Sequence, residues 1–222
     1  MGIVARQCIK GTIATYIGVA VGIVTTFFIQ TKALQPEQIG LIDILLQCSI
    51  LFGGLAQLGT NSSAMRYYPF FKDEEHRDHG FFGWTLLVPL IGFSIFLMLF
   101  FLFKDSIVAF FTKDSGVGAE VFSKYVIFVV PLAFFILYIS VFETNSNLLL
   151  RIVLPKFIRE VGLRVGTLVI YLMYYYKVIG FDGVIIAFCV LYGLATLINV
   201  VYLLSLNDQI GRAVQQECRD RY

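Results

Sequence analysis

Charge is scarce in this chain. Asp, Glu, Lys and Arg make up 14% of its 222 residues, where a soluble domain carries about a quarter. An ordinary water-soluble domain is therefore excluded. The net charge of +2 is too small to point to nucleic acid. Cysteine is sparse too: Cys8, Cys48, Cys189 and Cys218 form no CxxC and no Cys–His spacing that fits zinc. Two of them fall in apolar spans, where a thiol acts as a small hydrophobe; all four read as reduced and structural. No GxxxxGK[ST] loop occurs, so ATP is not bound in the P-loop manner. GxSxG is absent, and no Cys/His pairing offers a nucleophile. No carboxylate cluster on a loop resembles a metal-dependent glycosyltransferase site. His76 and His79 stand three apart in DEEHRDH, but HExxH order is missing and the charges alternate like a solvated loop. No catalytic residue, cofactor or metal is expected, and transport ranks above catalysis.

What is abundant is apolar surface: 58% of residues are hydrophobic and 22 are Phe. Six runs approach the ~20 residues that cross the hydrocarbon of a bilayer. They are Gly11–Gln30, Ile39–Leu58, Phe81–Phe103, Tyr125–Leu148, Val161–Tyr176 and Val184–Leu206. The first is too long for a signal-peptide core and no cleavage site follows it. The expectation is an all-α integral membrane protein, residues 1–222 forming one six-helix bundle. Of the 17 Lys and Arg, 12 (Arg6, Lys10, Arg66, Lys72, Arg77, Arg151, Lys156, Arg159, Arg164, Arg212, Arg219 and Arg221) flank one side of the spans and 5 the other. The positive-inside rule then places both termini in the cytoplasm. On that reading the Asn61-Ser62-Ser63 sequon faces the cytoplasm and carries no glycan, and the stretch Thr60–His79 is a cytoplasmic loop.

Within the first span, Gly11, Thr15, Gly18 and Gly22 form a small-residue face suited to close helix packing. In the second, Pro36 opens the helix, and Asp43 and Gln47 stand one turn apart, Asp43 either a pathway residue or an interfacial acid. Pro89 is the expected kink of the third, and SIVAFF beyond it is a candidate interfacial segment. The tyrosines near the end of the fifth suit an interfacial belt.

The densest polar signal lies between Pro131 and Arg164. Ser140, Glu143, Asn147 and Arg151 recur at three- and four-residue steps, so they share one face of a helix. A carboxylate inside a membrane helix costs roughly 2.5–3.5 kcal/mol on insertion scales, so Glu143 is expected to have a partner or a watery cavity. Similar depth from the two helix ends nominates Arg164 as that partner, with Glu160 and Arg151 as rival partners in the pairing that lie nearer the headgroups and are more screened by water.

The stretch LQPEQIGLIDILLQCSILFGGLAQLGTNSSAMRYYPFF, with Pro36, Glu37, Gly40, Arg66 and Tyr67, resembles the second-helix region of Wzx-type polysaccharide flippases, of the multidrug/oligosaccharidyl-lipid/polysaccharide exporter superfamily. RIVLPKFIREVGLR is similar to that family's basic linker between the fourth and fifth helices. The resemblance implies the N-terminal lobe of a twelve-to-fourteen-helix transporter in the bacterial cytoplasmic membrane. It implies alternating access, a polyprenyl-pyrophosphate-linked glycan as substrate, membrane lipid as surroundings, and a C-terminal lobe or a second chain to complete the cavity. Arg66, Glu143, Asn147, Arg151, Arg164 and Asp43 are the candidate substrate-path residues. A cation-coupled multidrug exporter is the alternative within the superfamily, against which stands the absence of a carboxylate from the first span. A membrane enzyme of polysaccharide synthesis, such as a ligase or acyltransferase, and a non-transporting assembly subunit are the alternatives outside it.

Overall fold

The computed structural model describes residues 3–71, 81–112, 119–149 and 153–219, and among the described residues every regular element is helical. The first helix, α1 (Ile3–Val24), passes through a π segment (Thr25–Gln30) into α2 (Thr31–Ala33) without a break. Leu34 turns extended, and α3 (Pro36–Ala56) follows. Pro36 occupies the first turn, and Gln35 and Gln38 close a reciprocal capping box. Leu58 and Gly59 adopt positive φ and end α3. Next come α4 (Thr60–Phe71), α5 (Phe81–Thr112) and α6 (Ala119–Tyr125). A 3-10 turn, Val126–Phe128, leads from α6 into α7 (Val129–Leu148). Then α8 (Val153–Phe157), a π segment (Ile158–Gly162) and α9 (Leu163–Tyr175) form one unbroken helical run, before α10 (Phe181–Arg219).

Among the described residues, five helices are long and apolar enough to cross a membrane: Ile9–Ala33, Pro36–Ala56, Phe81–Ser106, Val121–Leu148 and Phe181–Leu206. The run from Val153 to Tyr175 is not among them. It is roughly 34 Å long at 1.5 Å per residue, but Lys156, Arg159, Glu160 and Arg164 interrupt its apolar character.

Three elements depart from expectation. Thr60–Phe71 is a helix where a loop was expected: the turn at Leu58–Gly59 re-aims the chain, and Thr60 Oγ1 donates to the Gln57 carbonyl at 2.6 Å to start it. In α5 the helical dihedrals continue through Pro89 and are interrupted at Phe103 (φ −110°, ψ 16°), where the apolar run meets Lys104 and Asp105. And α10 continues past Leu206 to Arg219; its roughly 58 Å exceeds the ~30 Å hydrocarbon layer.

Side-chain contacts give the helix directions. Ser49 meets Val129, and Gln57 meets Ser140, so α3 and α7 run the same way. Lys124 meets Asp182, and Thr196 meets Phe135, so α10 runs with them. Phe96 stacks on Phe52 and Phe93 on Phe134, while Tyr138 donates to the Leu86 carbonyl; α5 therefore runs opposite. Because α7 and α10 are parallel, the chain between them returns through the run from Val153 to Tyr175. That run lies parallel to α1: Gly11, Gly18 and Gly22 face Lys156, Glu160 and Arg164 in turn. The small face of α1 is thus spent inside the bundle. A Cβ at Gly18 would overlap the Glu160 carbonyl oxygen, and one at Gly22 would stand 2.6 Å from the Arg164 guanidinium.

Two apolar clusters hold these helices. One is aromatic and joins α3, α5, α6 and α7 through Phe93, Phe96, Phe100 and Phe122. The other joins Leu34, Ile42, Leu132, Ile170, Tyr171, Val184 and Phe188 at one end of the bundle, called here the Leu34 end. The opposite end, where α7 finishes and α8 begins, is the Glu143 end.

Candidate functional site

The polar stripe expected on α7 is there, and it is more accessible than the rest of the helix around it. Ile136, Ser140, Glu143 and Asn147 are half-buried, whereas Leu137, Ile139, Val141, Phe142, Thr144, Asn145 and Ser146 around them are buried. A second stripe runs along α3. Asp43, Gln47, Ile50, Gly54 and Gln57 recur at steps of four, three, four and three, which is one helix face, and all are exposed or half-buried. The stripes meet at Ser140. Its hydroxyl accepts from Gln57 Nε2 at 3.2 Å and from Asn61 Nδ2 at 2.9 Å, and its carbonyl accepts from Thr144 Oγ1 at 3.0 Å. The result is a polar track on one side of the bundle. It starts near the Leu34 end at Asp43, passes Gln47 and reaches Glu143 and Asn147.

Between α7 and α1 lies an ion cluster. Arg159 Nη1 donates to Glu143 Oε2 at 2.6 Å, and Arg159 Nη2 to Glu160 Oε1 at 3.3 Å. Glu160 Oε2 lies 3.6 Å from Arg164 Nη2, one turn further on. Arg164 Nη1 donates to the Gly18 carbonyl at 3.1 Å. Three helical runs are tied together: α7 through Glu143, the α8–α9 run through Arg159 and Glu160, and α1 through Gly18. The π segment supplies Arg159 and Glu160. Such insertions are frequent at functional sites and leave the local ladder widened.

Glu143 therefore has a cationic partner, but it is Arg159 and not Arg164. The depth estimate placed the start of the fifth helix near Glu160. Helical structure is already in place at Val153, which carries Arg159 to the level of Glu143 and Arg164 a turn and more beyond it. Arg164 is engaged by Glu160 and Gly18 instead.

The other nominated residues fall as follows. Asn147 lies one turn past Glu143 on the same stripe, and its Oδ1 is buried with no hydrogen-bond donor; Ser146 Oγ, next to it, is in the same condition. Asp43 is exposed on the α3 stripe. Arg66 is exposed on α4, with its guanidinium 5.9 Å from the ring of its neighbour Tyr67. It follows Asn61 by five residues, about 140° around the helix, so the structure does not bring it to Glu143 or Arg164. Arg151 lies outside the described residues, as does the DEEHRDH stretch.

Sequence reasoning did not nominate Arg159, Gln57 or Asn61, and it named Glu160 only as a rival partner in the pairing of Glu143 with Arg164. The four-three-four-three spacing from Asp43 to Gln57 was available as a signal; the pairing through Arg159 was not, because it depends on where the helix starts. No family model, curated protein or solved structure matches this chain significantly.

Proposed function

We propose that the chain is one six-crossing lobe of an alternating-access carrier for lipid-linked sugars, the N-terminal lobe of a polysaccharide flippase in the bacterial cytoplasmic membrane. The Glu143 end faces the cytoplasm, following the Lys and Arg asymmetry, and the run from Val153 to Tyr175 is the remaining crossing. A second lobe, from a further part of the polypeptide or another chain, closes the open side.

The observation that carries this reading is the polar track. An exposed carboxylate at Asp43, an exposed amide at Gln47, the Ser140 node and Glu143 occupy one side of helices otherwise fit for lipid. Polar and ionisable groups within membrane helices face a partner or water and mark pathways. Amides and hydroxyls offer donors and acceptors to sugar hydroxyls, while guanidinium groups offer forks to phosphate oxygens. The lipid tail of such a substrate stays in the bilayer while its head follows the track.

The test is transbilayer movement of a fluorescent polyprenyl-pyrophosphate oligosaccharide in vesicles holding this lobe together with a compatible C-terminal lobe. Gln47→Leu combined with Asp43→Asn, both exposed on the α3 stripe, is expected to lower the rate about tenfold while leaving the amount of folded protein unchanged, a loss equal to roughly 1.4 kcal/mol. Unchanged movement in that double variant removes the track from the substrate path. Movement of a cationic dye with none of the glycan lipid would transfer the lobe to the multidrug branch.

A further inference from the structure

Arg159 has two partners, Glu143 and Glu160, and both are carboxylates. The side chains of Glu143 and Glu160 are 14% and 17% exposed, whereas those of Arg159 and Arg164 are 46% and 38% exposed. The acids form the inner layer of the cluster and the guanidinium groups the outer, more accessible layer. Lys156, one turn before Glu160, is close enough for its charge to act on Glu143. Three cations thus stand with two carboxylates, and the cluster keeps one positive charge.

We propose that Arg159, with Arg164 beside it, is an exchangeable site for a phosphate-type dianion, and that Glu143 is the competitor built into it. The carrier reading supplies only the natural ligand, the diphosphate of a lipid-linked sugar; the site stands on the cluster itself. Guanidinium N–H groups fit carboxylate and phosphate oxygens by the same paired geometry, so the two anions compete for one set of donors. A dianion outbids a single carboxylate at a cluster with surplus positive charge. While Glu143 holds Arg159, the apparent affinity for an incoming anion is reduced to the fraction of time Arg159 is free. Displacing Glu143 also unties α7 from the α8–α9 run, so anion binding and separation of these helices are one event. Thermodynamically, the anion shifts the equilibrium toward the untied state because only that state offers the guanidinium.

The experiment titrates inorganic pyrophosphate into the full chain in neutral phosphatidylcholine nanodiscs, followed by calorimetry. Glu143→Gln removes the competitor and is expected to tighten binding by about three- to tenfold, the reverse of its effect if the carboxylate merely organised the site. Arg159→Gln is expected to weaken it by about tenfold or more, and Arg159→Lys, which keeps the charge and loses the fork, by about threefold. Lys177→Gln, at the Leu34 end, leaves it unchanged. Should Arg159→Gln fail to fold, the Lys variant carries that arm. Absence of binding in both wild type and Glu143→Gln overturns the proposal, as does weaker binding in Glu143→Gln. Discs containing phosphatidylglycerol separate the sources. Loss of pyrophosphate binding there assigns the guanidinium pair to singly charged lipid headgroups and overturns the preference for a dianion, and undiminished binding assigns it to a diphosphate head. Pyrophosphate binding without glycan-lipid movement keeps this site and removes the carrier reading; movement without pyrophosphate binding does the opposite.

Discussion

At the Leu34 end, Ile42, Leu132, Ile170, Val184 and Phe188 close the bundle with side chains that have nothing to exchange, helped by Tyr171 edge-on to Phe188 at 5.9 Å. At the Glu143 end, the helices are joined by Arg159–Glu143, Arg164–Gly18 and the amides on Ser140. Dispersion contacts of the first kind are lost only by separating the helices. Ion pairs and hydrogen bonds of the second kind can be handed to another partner of the same chemistry without leaving a group bare. One end is closed mainly by apolar packing, and the other mainly by groups whose chemistry permits exchange.

The comparison breaks most sharply at Phe188. Phe188→Ala is expected to destabilise the folded bundle by about 3–5 kcal/mol, the usual cost of a large cavity, read as a fall in unfolding midpoint in detergent. Next comes Gly18→Ala, whose methyl group collides with the Glu160 carbonyl. Overpacking of this kind costs about 1–3 kcal/mol, and Gly54→Ala is the control, since nothing lies within 4 Å of a Cβ there. A double-mutant cycle of Glu143→Gln and Arg159→Gln is expected to give a coupling of roughly 1–2 kcal/mol, between the values for exposed and buried pairs. The smallest effect belongs to Lys124 and Asp182. Their 3.0 Å contact is open to solvent, and Asp182→Asn is expected to leave the unfolding midpoint unchanged within scatter. A larger response at Asp182 than at Glu143 would reverse the assignment of the two ends.

Much of the helical layout was legible because long apolar runs have few other readings. The polar face of α7 was legible from spacing alone. What escaped the sequence did so for local reasons. In α4, Thr60, Asn61, Ser62, Ser63 and Pro69 look like loop residues, and the helix is held by contacts far away in the chain, such as Asn61 on Ser140. The partner of Glu143 depended on the first residue of a helix whose opening turns contain Pro155 and Lys156 rather than a clean apolar run. The two π segments left no mark that periodicity could detect. Gly18 was readable as part of a small face, and its neighbour became known only once α1 and the α8–α9 run were seen side by side.

That neighbour has a bearing on how the protein is made. The segment from Val153 to Tyr175 carries two arginines, a lysine and a glutamate, and each such charge opposes release into lipid by up to ~3 kcal/mol at mid-membrane. It is the poorest candidate in the chain for independent integration during synthesis. Its backbone seat lies along Gly11, Gly18 and Gly22 of α1, which is made well before it. That helix therefore has to be retained beside the insertion machinery, or remain within reach of it, until well over a hundred further residues have been added. A ribosome-bound intermediate long enough to carry Tyr176 clear of the exit tunnel should cross-link from position 18 to position 160, whereas one halted after Leu148 leaves the seat empty. In that sense α1 serves as the chaperone of a segment made long after it.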